Sequence, residues 1–503
     1  MKFEDITNIS SSIAYYADKN PDKIFLIQDE EKYSFSKINN LLDRVCSLYE
    51  SLGLRKGDII SAVIKNSVEY ILLYLSALRL GCIFNPYPYT LDGKDISRYI
   101  ENMKPRITLC QESHYPDLKT NTPSDIFLIE TDFIDSLKKT KQNYIDFVPK
   151  KDSPACVYYS SGTTGNPKGV VFSHNNIIKN ISSIIRGFRF DENEVHLIIL
   201  PLGHTASINY SFLPCTLCGG TLVLTESFWK IRAKFWKIMR EQNITYVEVV
   251  PSILVALLNT PYKKNEFENI RLIRFIGCGS ATLPKDTQVK FMQKYGIRVA
   301  NLYGLSETGP THIDYPLDEG WKPGSIGKPL DVNEAKIMDE QNHILGPGEI
   351  GEIVIKGENV FIGYRNNERL YNKVVKDNYF HTGDLGYVTR DNTFFFTGRK
   401  KDLIIKGGVN ISPDEIDEIL SKMDEIKEVA TVGVPDEYLG EKIVSFIVLK
   451  EDKNIRDTDI INFCKKYISR DKIPDKVEFV DNIPKGPSGK NLRRKLRGVS
   501  NEK

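Results

Sequence analysis

No apolar run in this sequence is long enough to cross a bilayer. The most apolar stretch, YILLYLSALRLGCIF, is broken by Arg79 and falls short of the roughly 20 residues a membrane helix needs. Net charge is nearly absent as well. Lys+Arg 68 against Asp+Glu 66 leaves +2, too little for a chain that binds nucleic acid or an anionic membrane over much of its surface. The one basic stretch, KNLRRKLR at 490–497, is local and reads as a solvated helix face. Cysteines at a spacing that would hold a metal are missing. The eight are scattered, and only Cys215 and Cys218 form a C-x-x-C, in apolar surroundings without a second pair or a histidine cluster. They are expected to be a buried structural pair in a reducing compartment. The opening MKFEDITNISSSIAYYADKN has acids and no continuous apolar core, so no signal peptide is expected and the chain is placed in the cytoplasm. Repeats and low-complexity tracts are absent.

What is present is ordinary globular composition, 41% apolar and 27% charged over 503 residues, enough for roughly three compact units. Up to about residue 395, β-branched runs such as ACVYYSS, EVHLIIL, TYVEVVP and IRFIGCG alternate with amphipathic stretches. In NNIIKNISSIIRGF, Ile177, Ile178, Ile181, Ile184 and Ile185 fall on one helical face. That alternation predicts an α/β fold with largely parallel sheets. From about 321 to 398 the texture becomes short strands punctuated by Gly and Pro, which reads as a small β unit. The last hundred residues read as a separate α+β domain. Its first helix is predicted at SPDEIDEIL, with Ser412 as N-cap, Pro413 at the first helical position and Glu415 closing a capping box.

The stretch YYSSGTTGNPKGVVFSH, 158–174, carries seven hydroxyl residues, three glycines and one lysine. It is not a Walker A loop. Counting from Gly162, Pro167 occupies the place of the second glycine, and a strand, GVVFSH, follows where a helix should. The composition still suits phosphate. Gly162 and Gly165 let backbone N–H groups approach anionic oxygens, Ser160, Ser161, Thr163 and Thr164 donate hydroxyls, and Lys168 adds a charge. Further stretches fit the same ligand. NLYGLSETGP sets Tyr303 beside Gly304, with Ser306, Glu307 and Thr308 after it; YFHTGDLGYV offers Asp384; FTGRKKDLIIKGG offers Arg399; and IPKGPSGKNLRRKL offers Lys490. An aromatic able to stack on a base, a close-approach glycine and a carboxylate for a hard cation suit an ATP site.

Together these motifs resemble those of the superfamily of adenylate-forming enzymes, which includes acyl-CoA synthetases and the adenylation domains of peptide synthetases. The resemblance runs from about residue 10 to 497, with Ser306 where the family often has Thr. It implies a large N-terminal domain of packed α/β subdomains plus a small β-barrel (1–398, barrel about 321–398), a hinge at 399–402 centred on Lys401, and a mobile α+β lid at 403–503. It also implies roles. Residues 160–168 would hold the β- and γ-phosphates, and Gly279, Ser280, Ala281 and Tyr303 would border adenine. Glu307 would bind Mg²⁺, Asp384 and Arg399 ribose, Lys490 the substrate carboxylate and α-phosphate, and Gly407 and Gly408 would approach the CoA channel. ATP and CoA are then co-substrates, and the activity is that of an AMP-forming acyl-CoA synthetase.

For the acid, peptide-synthetase domains hold the substrate ammonium with an aspartate where this chain has Ala206, which speaks against an α-amino acid. His204 matches a family position near the acyl group. The expected pocket wall, Tyr210, Val249, Val250, Ile276 and Cys278, carries no Arg or Lys, which favours a fatty or other apolar acid over a dicarboxylate. The insertion typical of carrier-loading fatty acid ligases is not found near 320–410, so CoA is the expected acceptor, with an acyl carrier protein second. An inactive nucleotide-binding homologue is the reading from another class. The presence of Glu307 and Lys490 counts against it.

Overall fold

The computed structural model describes residues 6–121, 124–130, 132–137, 144, 147–160, 168–261, 272–485 and 491–499. Two sheets dominate. A nine-stranded sheet runs in the order Lys328–Pro329, Gly309–Ile313, Val299–Leu305, Phe275–Cys278, Tyr246–Val249, Val195–Ile198, Thr221–Leu224, Ile24–Gln28 and Glu31–Ser34. The six central strands, Val299–Leu305 through Ile24–Gln28, are parallel, and the pairings outside them are antiparallel. A seven-stranded sheet runs Gly363–Tyr364, Lys168–Ser173, Pro154–Ser160, Ile83–Tyr87, Ile59–Val63, Ile107–Cys110 and Asp125–Leu128. These are the doubly covered parallel sheets that the near-continuous apolar strands imply.

Helices fill the space between the sheets. Val68–Leu80 is apolar on all sides and buried along almost its whole length, as a helix enclosed by other elements must be. Ser67 caps its start and Gly81, at φ 79, ends it. Arg79, the residue that interrupts the apolar run, lies inside. Its guanidinium pairs with Asp43 at 2.6 Å and donates to Asn39 Oδ1 at 2.9 Å and Ser10 Oγ at 3.2 Å. The helix His174–Phe188 follows its strand directly, starts in a capping box between Ser173 and Asn176, and buries all five isoleucines read from the sequence.

The antiparallel unit consists of Asn333–Met338, Gly351–Gly357, Tyr379–Val388 and Phe394–Arg399, with the short Val375–Lys376 at its edge. It is joined to both large sheets. Lys328–Pro329 extends the nine-stranded sheet, and Gly363–Tyr364 pairs with Lys168–Ser173 of the seven-stranded one. The C-terminal part is a five-stranded sheet flanked by helices Pro413–Leu420, Asp457–Tyr467 and Arg493–Val499.

One local expectation fails. Ser412 does precede a helix with Pro413 in its first turn, but its side chain makes no cap bond. The hydroxyl donates to the Thr397 carbonyl at 2.7 Å, and Glu415 pairs with Lys472 at 2.8 Å. A tertiary partner across the domain boundary outcompetes the local one.

Arg79→Ala would leave Asp43, Asn39 and Ser10 without their shared donor. Removing one partner of a buried ion pair costs about 3–5 kcal/mol, so urea unfolding of the variant should show a loss of that order. An unchanged midpoint would mean that this cluster does not anchor the helix.

Candidate functional site

Part of the predicted nucleotide set lies on the cleft where the two large sheets, the antiparallel unit and the C-terminal part meet. Ser280, Ala281, Tyr303, Asp384, Arg399 and Lys401 all line it. The loop after Phe275–Cys278 is conformationally committed. Gly279 has no room for a Cβ, which would sit 2.9 Å from Leu302 Cβ, and Ser280 takes the left-handed region at φ 66. A non-glycine residue held there marks a backbone fixed by its surroundings. Tyr303 lies near the end of the strand Val299–Leu305, and Gly304 packs so closely on Gly309 O that a Cβ would come within 2.4 Å. Thr308 closes the turn, accepting from Leu305 N at 3.3 Å and donating to Gly309 O at 2.8 Å. Ser306 lies half-buried in the same turn.

Asp384 is 2% exposed. Its Oδ2 accepts from the Tyr303 hydroxyl at 2.9 Å, and its Oδ1 pairs with Arg399 Nε at 3.1 Å, directly across the strand pair. Lys401 sits in the short 3₁₀ turn Lys400–Asp402 that follows. Desolvation, and then the Arg399 charge, hold its ammonium below the ordinary lysine range. Gly407 and Gly408, at φ 57 and 83, form the open turn of the hairpin Ile404–Lys406/Val409–Ile411, with nothing near either Cβ position.

Glu307 is joined to the phosphate-loop strand by a residue the sequence analysis missed. Tyr364 donates its hydroxyl to Glu307 Oε1 at 2.9 Å, and Lys168 Nζ stands 5.6 Å from the centre of the Tyr364 ring. Burial raises the Glu307 carboxyl, against the pull of Tyr364, Lys168 and Arg399. The only available signal was that Gly363–Tyr364 resembles a short strand, and short strands do not reveal their partners. Ser160 pairs with Lys168 in the strand ladder. Ser161, Gly162, Thr163, Thr164, Gly165 and Lys490 lie outside the described residues. The residues flanking Lys490 are held: Lys485 bridges Asn491, Leu492 N donates to Pro484 O at 2.7 Å, and Arg493 binds Asp414 at 2.8 Å and Asp417 at 2.6 Å.

The acyl side departs from expectation. His204 is half-buried, and its Nδ1 accepts from Ala206 N at 3.3 Å. The preceding Gly203 lies against the backbone of Tyr87, where a Cβ would come within 2.2 Å. A π-helical turn, Ile208–Phe212, follows. Pro214 has no N–H to give the Tyr210 carbonyl, which suits a widened turn there. Tyr210, in that turn, donates to Tyr303 O at 3.1 Å. Val250 lines the cleft. Val249, Ile276 and Cys278, however, pack in the core that also holds Leu197, Phe235 and Phe291. Because side chains alternate along a strand, they point away from the face that carries Tyr246, Glu248 and Gly277. The expected wall therefore mixed two faces. Tyr210 looks onto Glu248, and Cys278 lies on the other side of the sheet.

This arrangement has relatives. The profile of the AMP-binding enzyme family matches residues 13–365, and that of the AMP-binding enzyme C-terminal domain matches 415–490. The chain belongs to this family. It is 29% identical to a sulfoacetate–CoA ligase of Cupriavidus necator, over 98% of each chain. It is 31% identical to 4-coumarate–CoA ligase 3 of Oryza sativa, over 93% of this chain and 88% of the relative. The crystal structure of ATP-bound MatB from Rhodopseudomonas palustris superposes with a TM-score of 0.91 at 27% identity, covering 98% of each chain.

Two predictions follow from the geometry. Tyr364→Phe removes a hydrogen bond to a carboxylate, worth about 1.5–3 kcal/mol of stability, and should lower the unfolding free energy by no more than that while raising the KM for ATP about tenfold. An unaltered KM would separate Tyr364 from nucleotide binding. The second concerns Glu248, which burial raises from 4.5 to about 8. Between those values the unfolded chain has lost the proton and the folded one keeps it. Stability therefore falls as pH rises through that window, by on the order of 5 kcal/mol, and is flat on either side. Urea unfolding of Glu248→Gln should show less of this fall between about pH 5 and about pH 8. Parallel pH profiles for variant and parent would show that the carboxyl is ionised in the folded protein.

Proposed function

We propose that this enzyme is an AMP-forming acid–CoA ligase acting on an acid with a largely apolar body. The observation that carries the reading is that Tyr303, Asp384 and Arg399 meet on one cleft while Glu307 lies within reach of the Lys168 and Arg399 charges, in a chain that aligns over most of its length with CoA ligases. In the first step a substrate carboxylate oxygen attacks the α-phosphorus of ATP, the new bond joins acyl oxygen to phosphorus, and pyrophosphate leaves. Both reacting groups are anions, so the site must supply positive charge and alignment. Lys490 does so for the carboxylate and α-phosphate, and Lys168 and residues 160–167 for the outer phosphates. Asp384, oriented by Arg399 and Tyr303, takes the ribose. In the second step the CoA sulfur attacks the acyl carbon and AMP leaves, with Gly407 and Gly408 beside the pantetheine and residues 399–402 acting as the hinge.

Glu307 fits Mg²⁺: it is a half-buried carboxylate that offers hard oxygen near the phosphate-loop lysine, and Mg²⁺ takes one or two carboxylates with phosphate oxygens completing its shell. When bound, the ion supplies charge compensation at the phosphates. Tyr364 holds the carboxylate in place for it.

His204 and Val250 border the acyl group. A second anion on the acid is disfavoured, because Glu248, which faces Tyr210, is a buried carboxyl. CoA is preferred over a carrier protein as acceptor because the full-length relatives are named as CoA ligases.

Pyrophosphate exchange and thioester formation over a panel of acids test the reading directly. Lys490→Ala should slow adenylation by about 10²–10³-fold, the range for loss of one preorganised donor, and should spare thioester formation from a supplied acyl-adenylate. Equal loss of both half-reactions in a folded protein would refute the assigned role, and a parent enzyme that exchanges pyrophosphate with no acid would refute the ligase reading.

A further inference from the structure

Glu248 lies in the middle of the nine-stranded sheet, 2% exposed, and neither of its carboxyl oxygens has a hydrogen-bond partner. Such groups are rare, because an unsatisfied buried polar atom keeps its full desolvation penalty. The surroundings do not relieve it. Its direct neighbour on the strand Phe275–Cys278 is Gly277, which has no side chain. The Tyr246 hydroxyl, packed over Gly277, is also unpartnered. Tyr210 faces Glu248 from the π-helical turn, but its hydroxyl is committed to Tyr303 O at 3.1 Å. No cation among the described residues acts on the carboxyl, and burial alone accounts for its raised titration.

The position matters as much as the missing partner. The backbone oxygen to which Tyr210 is bonded belongs to Tyr303, whose own hydroxyl reaches Asp384. Glu248 is thus linked to the nucleotide cleft through Tyr210 and Tyr303, on a strand that the π-helical turn packs against. An acid whose carboxylate points at the α-phosphate would extend its far end toward this strand.

We propose that Glu248 is a specificity-determining residue that receives a positively charged nitrogen at the end of the substrate remote from its carboxylate. The acid is then an amino acid of the ω type, with an apolar spacer between ammonium and carboxylate. This rests on the ligase reading above and deepens it. A buried carboxylate and a buried ammonium each carry a large desolvation penalty alone, and in contact they compensate one another. The proton that Glu248 holds in the free enzyme leaves to solvent when the ammonium takes its place, so the bound pair is carboxylate and ammonium with no net charge. Ala206 is consistent with this: the site holds no charge for an α-ammonium, and it holds one deeper.

The test uses the full-length enzyme with ATP and CoA, scoring thioester formation with isosteric acids: para-aminomethylbenzoate, para-hydroxymethylbenzoate and para-ethylbenzoate, and an ω-aminoalkanoate against the alkanoate of equal length. A site built around a hydrogen-bonding group discriminates strongly against the analogue lacking it, so the parent should favour the amine over the ethyl isostere by about 10²-fold in kcat/KM. Glu248→Gln, which keeps the volume, should collapse that ratio, and Glu248→Leu should invert it. A parent that forms thioesters of the ethyl and alkyl acids but not of the amines overturns this inference and leaves the ligase reading standing. So does a ratio that neither variant moves, or a preference for the hydroxyl isostere. A parent that exchanges pyrophosphate with no acid in the panel overturns both.

Discussion

The cleft depends on a single buried carboxylate. Asp384 is fixed from one side by the Tyr303 hydroxyl at the end of a strand of the nine-stranded sheet, and from the other by Arg399 at the end of the last strand before the C-terminal part. An acidic side chain at 2% exposure is stable only because it is met in this way. Three parts of the chain therefore share one charge. The strand that carries Tyr303 and the connection to the C-terminal part, through Arg399, are mechanically coupled at the carboxylate proposed for the ribose. Moving Arg399 would leave Asp384 partly uncompensated, so any reorientation must pivot after residue 399. The 3₁₀ turn Lys400–Asp402 is where the chain is short, exposed or half-exposed, and free of strand pairing.

A second link joins the other large sheet. Tyr364 belongs to the antiparallel unit by sequence but pairs with Lys168–Ser173, and its hydroxyl reaches Glu307 in the hairpin that leaves the nine-stranded sheet. The phosphate-loop strand and the carboxylate proposed for Mg²⁺ are thus held relative to each other by an aromatic residue from a third region. Precision of this kind, from side chains locked by packing, is what in-line displacement between two anions requires.

Most of the architecture was legible because it follows from periodicity. The isoleucine stripe of 177–185 and the β-branched strands appear where the 3.6- and 2-residue periods put them. The candidate nucleotide residues were read from local motifs, and the fold brings Tyr303, Asp384 and Arg399 of that set together. What escaped was tertiary. Tyr364 lies in no recognisable motif, and its role comes from a two-residue strand. Ser412 has a complete local capping sequence, yet its hydroxyl bonds to Thr397. The acyl wall was drawn from neighbouring strand residues without alternating them, which placed Cys278 with Tyr210 and passed over Glu248. A strand of TYVEVVP type displays its acid openly, but only the sheet's environment shows that this acid is buried and unpaired.

The C-terminal part is bound to the rest in a manner suited to movement. Its apolar cores, built on Ile404, Ile416, Ile443 and Phe446, draw on residues after 403 alone, and the cores of the antiparallel unit and large sheets draw on residues before it. What crosses the boundary among the described residues is polar. Ser412 Oγ bonds to Thr397 O at 2.7 Å. Such contacts contribute about 1 kcal/mol or less each, so two orientations of this domain differ by a few exchangeable hydrogen bonds and no buried apolar surface need be opened. Substrates bound between the two parts can select between such states with modest differences in affinity. A lid whose core extended into the body could not be repositioned between two half-reactions. The hinge proposed at the three-residue turn faces no such barrier, since a serine hydroxyl is what bonds across it.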